Sequence, residues 1–217
     1  GVKITNRALT NYICWAKKVY VNDSKPLMPL YSSIAFDLTV TTLYLPIISG
    51  GTIVICKNNN EEIVKIFRED KVNIVKLTPA HLSLINEANI RISNINTLIL
   101  GGEALKTNDV KKIVKRSRRS IRIFNEYGPT EATVGCMIYK YNALDSEPTL
   151  PIGKPADNVK IYVMDKYGNI CPLGVEGEIY IEGDGISAGY NNMEEKTKQS
   201  FILNSNTNRI MYKTGDI

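Results

Sequence analysis

The sequence predicts an α/β fold, a parallel sheet covered by helices on both faces, followed by a smaller antiparallel β subdomain. Two observations carry that expectation. In the first two-thirds, strand-like stretches of four or five residues with apolar centres (52–56, 73–77, 97–100, 122–125) alternate with helical patterns, as buried parallel strands and their crossover helices do. After about residue 136 the texture changes to alternating β-formers broken by Gly and Asn turns, which reads as antiparallel hairpins.

Taken in order, Thr5 or Asn6 caps a helix whose apolar face is Leu9, Ile13, Ala16 and Tyr20. A short strand is expected at 33–36, then an apolar helix from Asp37 to the Gly50-Gly51 stop, and a buried strand at 52–56. An amphipathic helix at 61–69 precedes a strand at 73–77, and residues 79–87 form a helix begun by Pro in its first turn. The apolar strand 97–100 runs into Gly101-Gly102 and a basic helix, and 122–125 closes the series. VKIYVMD, YGN and GEIYIEGDG then supply strands and turns, NNMEEKTKQSF a short polar helix, and MYKTGDI a last strand and turn. A boundary between Asn142 and Pro151 divides the chain into a subdomain of residues 1–142 and a β-rich one of 143–217.

The 217 residues are 43% hydrophobic and 23% charged, an ordinary composition for one or two soluble globular domains. No apolar run approaches the roughly 18 residues of a membrane span, so no membrane partner is expected. GVKITNRALT lacks a signal pattern and an initiator Met, so a cytoplasmic location and a start inside a longer protein are expected. Cys14, Cys56, Cys136 and Cys171 are scattered without metal-type spacing and read as reduced thiols. His81 is the single histidine, which argues against a zinc site. Most of the +5 net charge sits in residues 111–122. Val110, Ile113 and Val114 recur there at helical spacing without interleaved aromatics, so the run reads as a solvated helix face and no nucleic-acid partner is expected.

In parallel sheets of this kind ligands sit beyond the carboxyl ends of the strands. The residues to read for chemistry are therefore Asp37, 76–78, 101–103 and 125–130. The segment NEYGPTE, residues 125–131, places an aromatic ring, a hydroxyl and a carboxylate within five residues at a strand end. Tyr127 can stack a purine, Thr130 can donate to a phosphate, and Glu131 can hold magnesium, which prefers carboxylate oxygen. A strand-to-loop turn with a capping Thr is the alternative.

That segment resembles the Y-G-x-T-E motif of the adenylate-forming superfamily, in the N-x-Y-G-P-T-E form of nonribosomal peptide synthetase adenylation domains. PIGKPADN, GEIYIEGDGISAGY and YKTGDI resemble three further family motifs, in the family's order. LILGGEAL is similar to the segment lying against adenine, and AFDLTVTTLY to the one carrying the amino-acid-binding aspartate. The resemblance runs over essentially the whole chain and implies part of the large N-terminal domain of that fold. It implies ATP-dependent activation of an amino acid as aminoacyl-AMP, with Mg2+, for loading onto phosphopantetheine of a peptidyl carrier domain beside condensation domains. The family's phosphate loop would lie upstream, with only Gly1-Val2 resembling its tail. Its C-terminal lysine domain would begin after Asp216. A piece without either is expected to be inactive, since much of the electrostatic stabilisation would be missing.

The resemblance also implies roles. Asp37 pairs with the substrate ammonium, where the alternative is an N-cap. Gly101, Gly102, Glu103, Asn125, Tyr127, Gly128, Thr130 and Asp216 hold the nucleotide, with Asp216 on the ribose hydroxyls. Thr130 and Glu131 serve phosphate and magnesium as the catalytic pair. The side-chain pocket falls on Asp37, Leu38, Thr41, Lys76, Ile99, Gly101, Glu126, Val134 and Gly135. A buried Lys76 and Glu126 are costly unless paired or hydrogen-bonded, and together they offer the donor and acceptor that a primary carboxamide needs. Aspartate would meet Glu126 with like charge, and lysine or ornithine would meet Lys76 so. Asparagine therefore fits, as the family's asparagine-type signature also implies, with glutamine next and a purely structural Lys76–Glu126 pair as the alternative. An acyl- or aryl-CoA ligase of the same superfamily, or a non-catalytic nucleotide-binding fragment, are the competing functions. The Asp37 carboxylate argues against the first.

Overall fold

The computed structural model describes residues 1–22, 24–57 and 59–217. Its contacts gather into two compact units, each discontinuous in sequence: residues 16–127 with 137–154, and residues 1–15 with 128–136 and 155–217.

The first unit is built on strands β3 (Ile74–Leu77), β4 (Thr97–Gly101) and β5 (Arg122–Tyr127), parallel and adjacent, with β6 (Met137–Lys140) antiparallel beyond β5 and the two-residue β7 (Lys154–Pro155) next in the sheet. The period of two along a strand sends alternate residues to opposite faces. Val75, Leu77, Leu98, Leu100 and Ile123 enter one core with Ile63, Ile66 and Phe67 of α3 (Asn60–Glu69), Leu82 and Ile85 of α4 (Pro79–Glu87), and Val110 and Ile113 of α5 (Thr107–Arg116). The opposite face carries Lys76, Ile99, Phe124 and Glu126. It meets Tyr20 at the end of α1 (Asn6–Tyr20) and Thr41 of α2 (Leu38–Ile48). The sheet is thus covered on both faces.

Local signals explain most of these elements. Asn59 caps α3 by accepting from the Glu62 amide at 2.8 Å. Thr78 and His81 form a capping box at α4, where Pro79 sits in the first turn. The Thr78 amide donates to His81 Nδ1, which makes that nitrogen an acceptor and gives the lone histidine a structural task. On α5, Val110 and Ile113 are buried while Lys112 and Lys115 face solvent, as expected of a solvated basic helix.

Two local expectations fail. Residues 33–36 form a turn, closed by Phe36 N to Ser33 O at 3.0 Å and Ala35 N to Ser33 Oγ at 3.2 Å. The strand lies earlier, at β1 (Leu27–Leu30), and Pro29 is tolerated because β1 belongs to a two-stranded sheet with β2 (Thr52–Ile55). Nor is β2 buried, since Ile55 is 84% exposed on a strand hydrogen-bonded only to β1 among the described residues.

The second unit holds an antiparallel sheet in the order β10 (Phe201–Asn204), β11 (Arg209–Lys213), β9 (Glu178–Gly183), β8 (Val159–Met164). The short helix α6 (Glu194–Ser200) precedes β10. The fully buried Glu182 accepts at Oε2 from Asn204 at 2.9 Å and Thr207 at 2.6 Å, fastening the β10–β11 turn to β9. At the start of α1, in the same unit, Thr5 Oγ1 accepts from the Ala8 amide at 3.1 Å, so Thr5 rather than Asn6 caps the helix. Among the described residues no helix is long and apolar enough to cross a membrane.

Candidate functional site

On the α1/α2 face of the parallel sheet, strand register lines up four of the predicted pocket residues. Lys76 stands opposite Ile99, and Gly101 opposite Glu126. Lys76 and Glu126 are deeply buried, each side chain 2% exposed, and they form an ion pair through Lys76 Nζ and Glu126 Oε1. Lys76 Nζ also donates to Thr41 Oγ1 at 2.9 Å, and Tyr20 Oη donates to Glu126 Oε2. Two opposite charges out of water are tolerable only with this degree of hydrogen bonding. Gly101 is required by proximity, because a Cβ there would lie 2.6 Å from the Glu126 carbonyl oxygen.

Asp37 precedes α2 as its N-cap residue, but its carboxylate makes no capping hydrogen bond to the helix. It is half-buried, and Thr41 is one turn further on, so the two share a helix face. Leu38 and Thr41 are buried. The structure therefore brings together Asp37, Leu38, Thr41, Lys76, Ile99, Gly101 and Glu126 within one unit.

The nucleotide-type residues of the same unit are placed differently. Gly102 and Glu103 follow β4 at the surface, and Glu103 Oε2 accepts from the Ala80 amide in the first turn of α4 at 3.1 Å. This is a favourable place for a carboxylate, at the positive end of a helix. Asn125 is buried, and its Nδ2 donates to the carbonyls of Leu150 at 3.3 Å and Pro151 at 2.9 Å, so its amide serves the backbone. Tyr127 ends β5 half-buried.

Gly128, Thr130, Glu131, Val134 and Gly135 belong to the other unit, in a tightly folded loop. A Cβ on Gly128 would meet Gly135 Cα at 2.7 Å. Thr130–Ala132 form a 3-10 turn, after which Thr133 and Val134 both take positive φ, at 59° and 73°. The Gly135 amide donates to Thr133 O at 2.9 Å, closing a three-residue turn about Val134. Positive φ at two successive β-branched residues is a strained arrangement, held here by burial and by Thr133 Oγ1 donating to Gly185 O at 2.6 Å.

Glu131 Oε1 accepts from Tyr190 Oη at 2.6 Å, and the Glu131 carbonyl accepts from the Ser187 amide at 2.8 Å. Burial pushes the Tyr190 phenol up, and the Glu131 carboxylate adds to that shift. Tyr190 therefore remains a donor at neutral pH. Asp216 is exposed, in a turn where its amide donates to Thr214 Oγ1 at 3.0 Å and its carbonyl accepts from the Ile179 amide at 2.8 Å.

Sequence reasoning missed the roles of three tyrosines. Tyr20 was legible only as part of an apolar helix face, yet its hydroxyl reaches Glu126. Tyr31 donates to the Lys76 carbonyl at 3.0 Å, and burial pushes its phenol well above the usual range. Tyr190 closes the GEIYIEGDGISAGY motif, and that was the one available signal for it.

The model of the AMP-binding enzyme family matches residues 1–191. Over its full length the chain is 48% identical to bacitracin synthase 3 of Bacillus licheniformis, of which it spans 4%. It is 46% identical to tyrocidine synthase 3 of Brevibacillus parabrevis, spanning 3% of that protein. The chain thus covers a small fraction of these relatives. Among solved structures, 99% of it superposes on 16% of a four-domain nonribosomal peptide synthetase bound to AMP and glycine, with a TM-score of 0.88 and 25% identity. It superposes equally fully on 24% of the synthetase FmoA3, at a TM-score of 0.91 and 22% identity, a likeness of fold alone. With the fold shared and a family match over residues 1–191, the chain belongs to the AMP-binding enzyme family.

Proposed function

We propose that this domain selects asparagine and, within its parent synthetase, activates it with ATP as asparaginyl-AMP for loading onto the phosphopantetheine thiol of a peptidyl carrier domain. The substrate carboxylate attacks the ATP α-phosphorus and pyrophosphate leaves. The observation that carries the reading is the buried Lys76–Glu126 pair, bonded to Thr41 and Tyr20 on the sheet face beside α2. A carboxamide fits it chemically: the amide oxygen accepts from Lys76 and the amide nitrogen donates to Glu126. An apolar side chain would displace that hydrogen bonding without replacing it, and a charged one would repel one partner.

Asp37 supports the amino-acid reading over an acyl- or aryl-CoA ligase. Its half-buried carboxylate is not used to cap α2 and shares a helix face with Thr41, which suits an α-ammonium group. Leu38 and Ile99 complete the pocket within this unit, and the family resemblance assigns Val134 and Gly135 to side-chain selection as well. Gly101, Gly102, Glu103, Asn125, Tyr127, Gly128, Thr130 and Asp216 are assigned to the nucleotide. The likeness to a four-domain nonribosomal peptide synthetase supports partners of carrier and condensation type, and a cytoplasmic location is part of the same proposal.

Among the described residues no group of three or more His, Cys, Asp or Glu could hold a metal ion. Magnesium accompanying a nucleotide needs only one or two carboxylates besides the phosphates, and Glu131, oriented by Tyr190, fits that requirement. Bound there, Mg2+ would neutralise phosphate charge. Thr130 would donate to a phosphate oxygen.

Amino-acid-dependent ATP–pyrophosphate exchange, run on this chain and on its parent protein, tests the proposal. Asparagine-dependent exchange by the parent is expected, and glutamine is the competing substrate to measure beside it. Exchange by neither would favour the non-catalytic nucleotide-binding reading. In the parent, Glu126→Gln should lower the preference for asparagine over aspartate, and unchanged discrimination would sink the carboxamide assignment.

A further inference from the structure

Tyr20 lies 106 residues from Glu126 in sequence, yet its phenol is hydrogen-bonded to the carboxylate at the centre of the buried polar cluster. Its ring is fully buried and packs edge-on against Phe124, with centroids 5.2 Å apart. We infer that Tyr20 is a positioning residue for side-chain selection, fixing the Glu126 carboxylate as the acceptor that the substrate meets. This deepens the pocket reading above and rests on it.

The geometry is built from both ends. Glu126 has two oxygens, and the structure gives each its own donor: Lys76 to Oε1 and Tyr20 to Oε2. A carboxylate held at both oxygens by donors from different elements has a fixed plane. Without the Tyr20 donor that constraint on Oε2 is lost, and the carboxylate could turn to offer both oxygens to the ammonium, leaving each charge less available to a bound side chain. Tyr20 supplies the second point of attachment.

Tyr20 itself is anchored. It is the last residue of α1, where backbone carbonyls lack helical partners. Arg122, at the start of β5, supplies them. Its guanidinium donates to Tyr20 O and to Val19 O, the latter at 3.1 Å, and also to Thr97 Oγ1 at 2.8 Å on β4. A cation at a helix C-terminus is favourably placed electrostatically as well. The same strand, β5, thus carries at its start the arginine that locks the end of α1, and near its end the glutamate that the locked tyrosine holds. Arg122, Phe124 and Glu126 share one face of β5 by the period of two. Phe124 lies between the other two, in contact with both the guanidinium and the phenol ring.

The test uses the parent synthetase and measures kcat/KM in pyrophosphate exchange for asparagine, aspartate and the other amino acids. Tyr20→Phe keeps the ring against Phe124 and removes only the donor. The ratio of asparagine to aspartate kcat/KM should fall by about tenfold, the scale of one hydrogen bond to a charged group. The KM for ATP should stay within about twofold, because the change acts on one substrate. In a Glu126→Gln background, Tyr20→Phe should change that ratio by less than about twofold, since a residue acting through another adds nothing once that partner is altered.

A ratio unchanged in Tyr20→Phe, or an equal drop in both backgrounds, would overturn the assignment. A uniform loss toward all amino acids would do so too, because that is what a purely structural tyrosine produces. If the wild-type parent prefers an amino acid other than asparagine while Tyr20→Phe reshapes its preference, the asparagine reading falls and the Tyr20 assignment stands. Exchange with no amino acid at all would overturn both.

Discussion

Gly101 and Glu126 stand opposite one another in the β4–β5 register, so close that a Cβ on Gly101 would lie 2.6 Å from the Glu126 carbonyl oxygen. Gly101→Ala cannot be accommodated by a side-chain rotation, because the obstacle is backbone. The strand must move, and Glu126 with it. A loss of about 1–3 kcal/mol is expected, the usual cost of overpacking. Urea denaturation of wild type and variant measures it. Gly102→Ala is a useful contrast, because nothing lies within 4 Å of a Cβ there and only its φ of 92° opposes the change.

Removing one charge from the Lys76–Glu126 pair should be more damaging than removing both. Lys76→Met leaves a buried carboxylate without its ammonium, which costs about 3–5 kcal/mol. Lys76→Met with Glu126→Leu should recover much of that. The double variant still removes the carboxylate that accepts from Tyr20 Oη, at about 1–3 kcal/mol. Adding Tyr20→Phe should return that remainder. The stability series single, double, triple therefore rises stepwise, and a double variant no more stable than Lys76→Met would contradict the pairing.

Much of this arrangement was legible in the chain, and the exceptions have physical causes. Strand β4 declares itself by the apolar run that burial on both faces leaves, β3 by Ile74, Val75 and Leu77, β5 only by Ile123 and Phe124, and α4 because Thr78 and Pro79 mark its start. The strand at 27–30 was hidden by Pro29, which argues against a strand except where few neighbours need its amide. Residues 33–36 looked extended from their β-formers, but Ser33 closes a turn. At the candidate site, Lys76 and Glu126 could be marked because both lie near strand ends, where the resemblance places the pocket. Tyr20 could not, since tyrosine on an apolar helix face is ordinary and its partner lies 106 residues away. Resemblance, not composition, supplied the assignments of Asp216 and Val134.

If Glu131 holds magnesium, its outer partner should matter to the metal. Tyr190→Phe removes the donor at 2.6 Å from Glu131 Oε1 while leaving the ring to stack edge-on against Phe201. The Mg2+ concentration for half-maximal pyrophosphate exchange by the parent should rise at least about tenfold, the scale found for outer partners of metal ligands. The KM for the amino acid should be unaffected. A variant with an unchanged magnesium dependence would remove Tyr190 from this role.

Acid should loosen the second unit through Asp184. Its carboxylate Oδ1 accepts from Arg7 and from Arg209, each at 2.9 Å. The Arg7 bond, with the Arg209 bond beside it, outweighs partial burial and holds the Asp184 carboxyl below its usual value. A carboxyl with a depressed folded pKa binds fewer protons folded than unfolded, so its stabilisation is present above the ordinary carboxylate range and is lost as pH falls through the lower folded value. Wild-type stability contributed by this site should therefore be flat from neutral pH to about 5 and decline below about 4. Asp184→Asn should remove that part of the decline, so the two stability curves converge in acid and separate at neutral pH. Arg7 is 75% exposed, so the separation should be modest, about 1 kcal/mol or less, and smaller still in high salt. Curves that stay parallel from neutral pH into acid would show that Asp184 contributes nothing to the acid response.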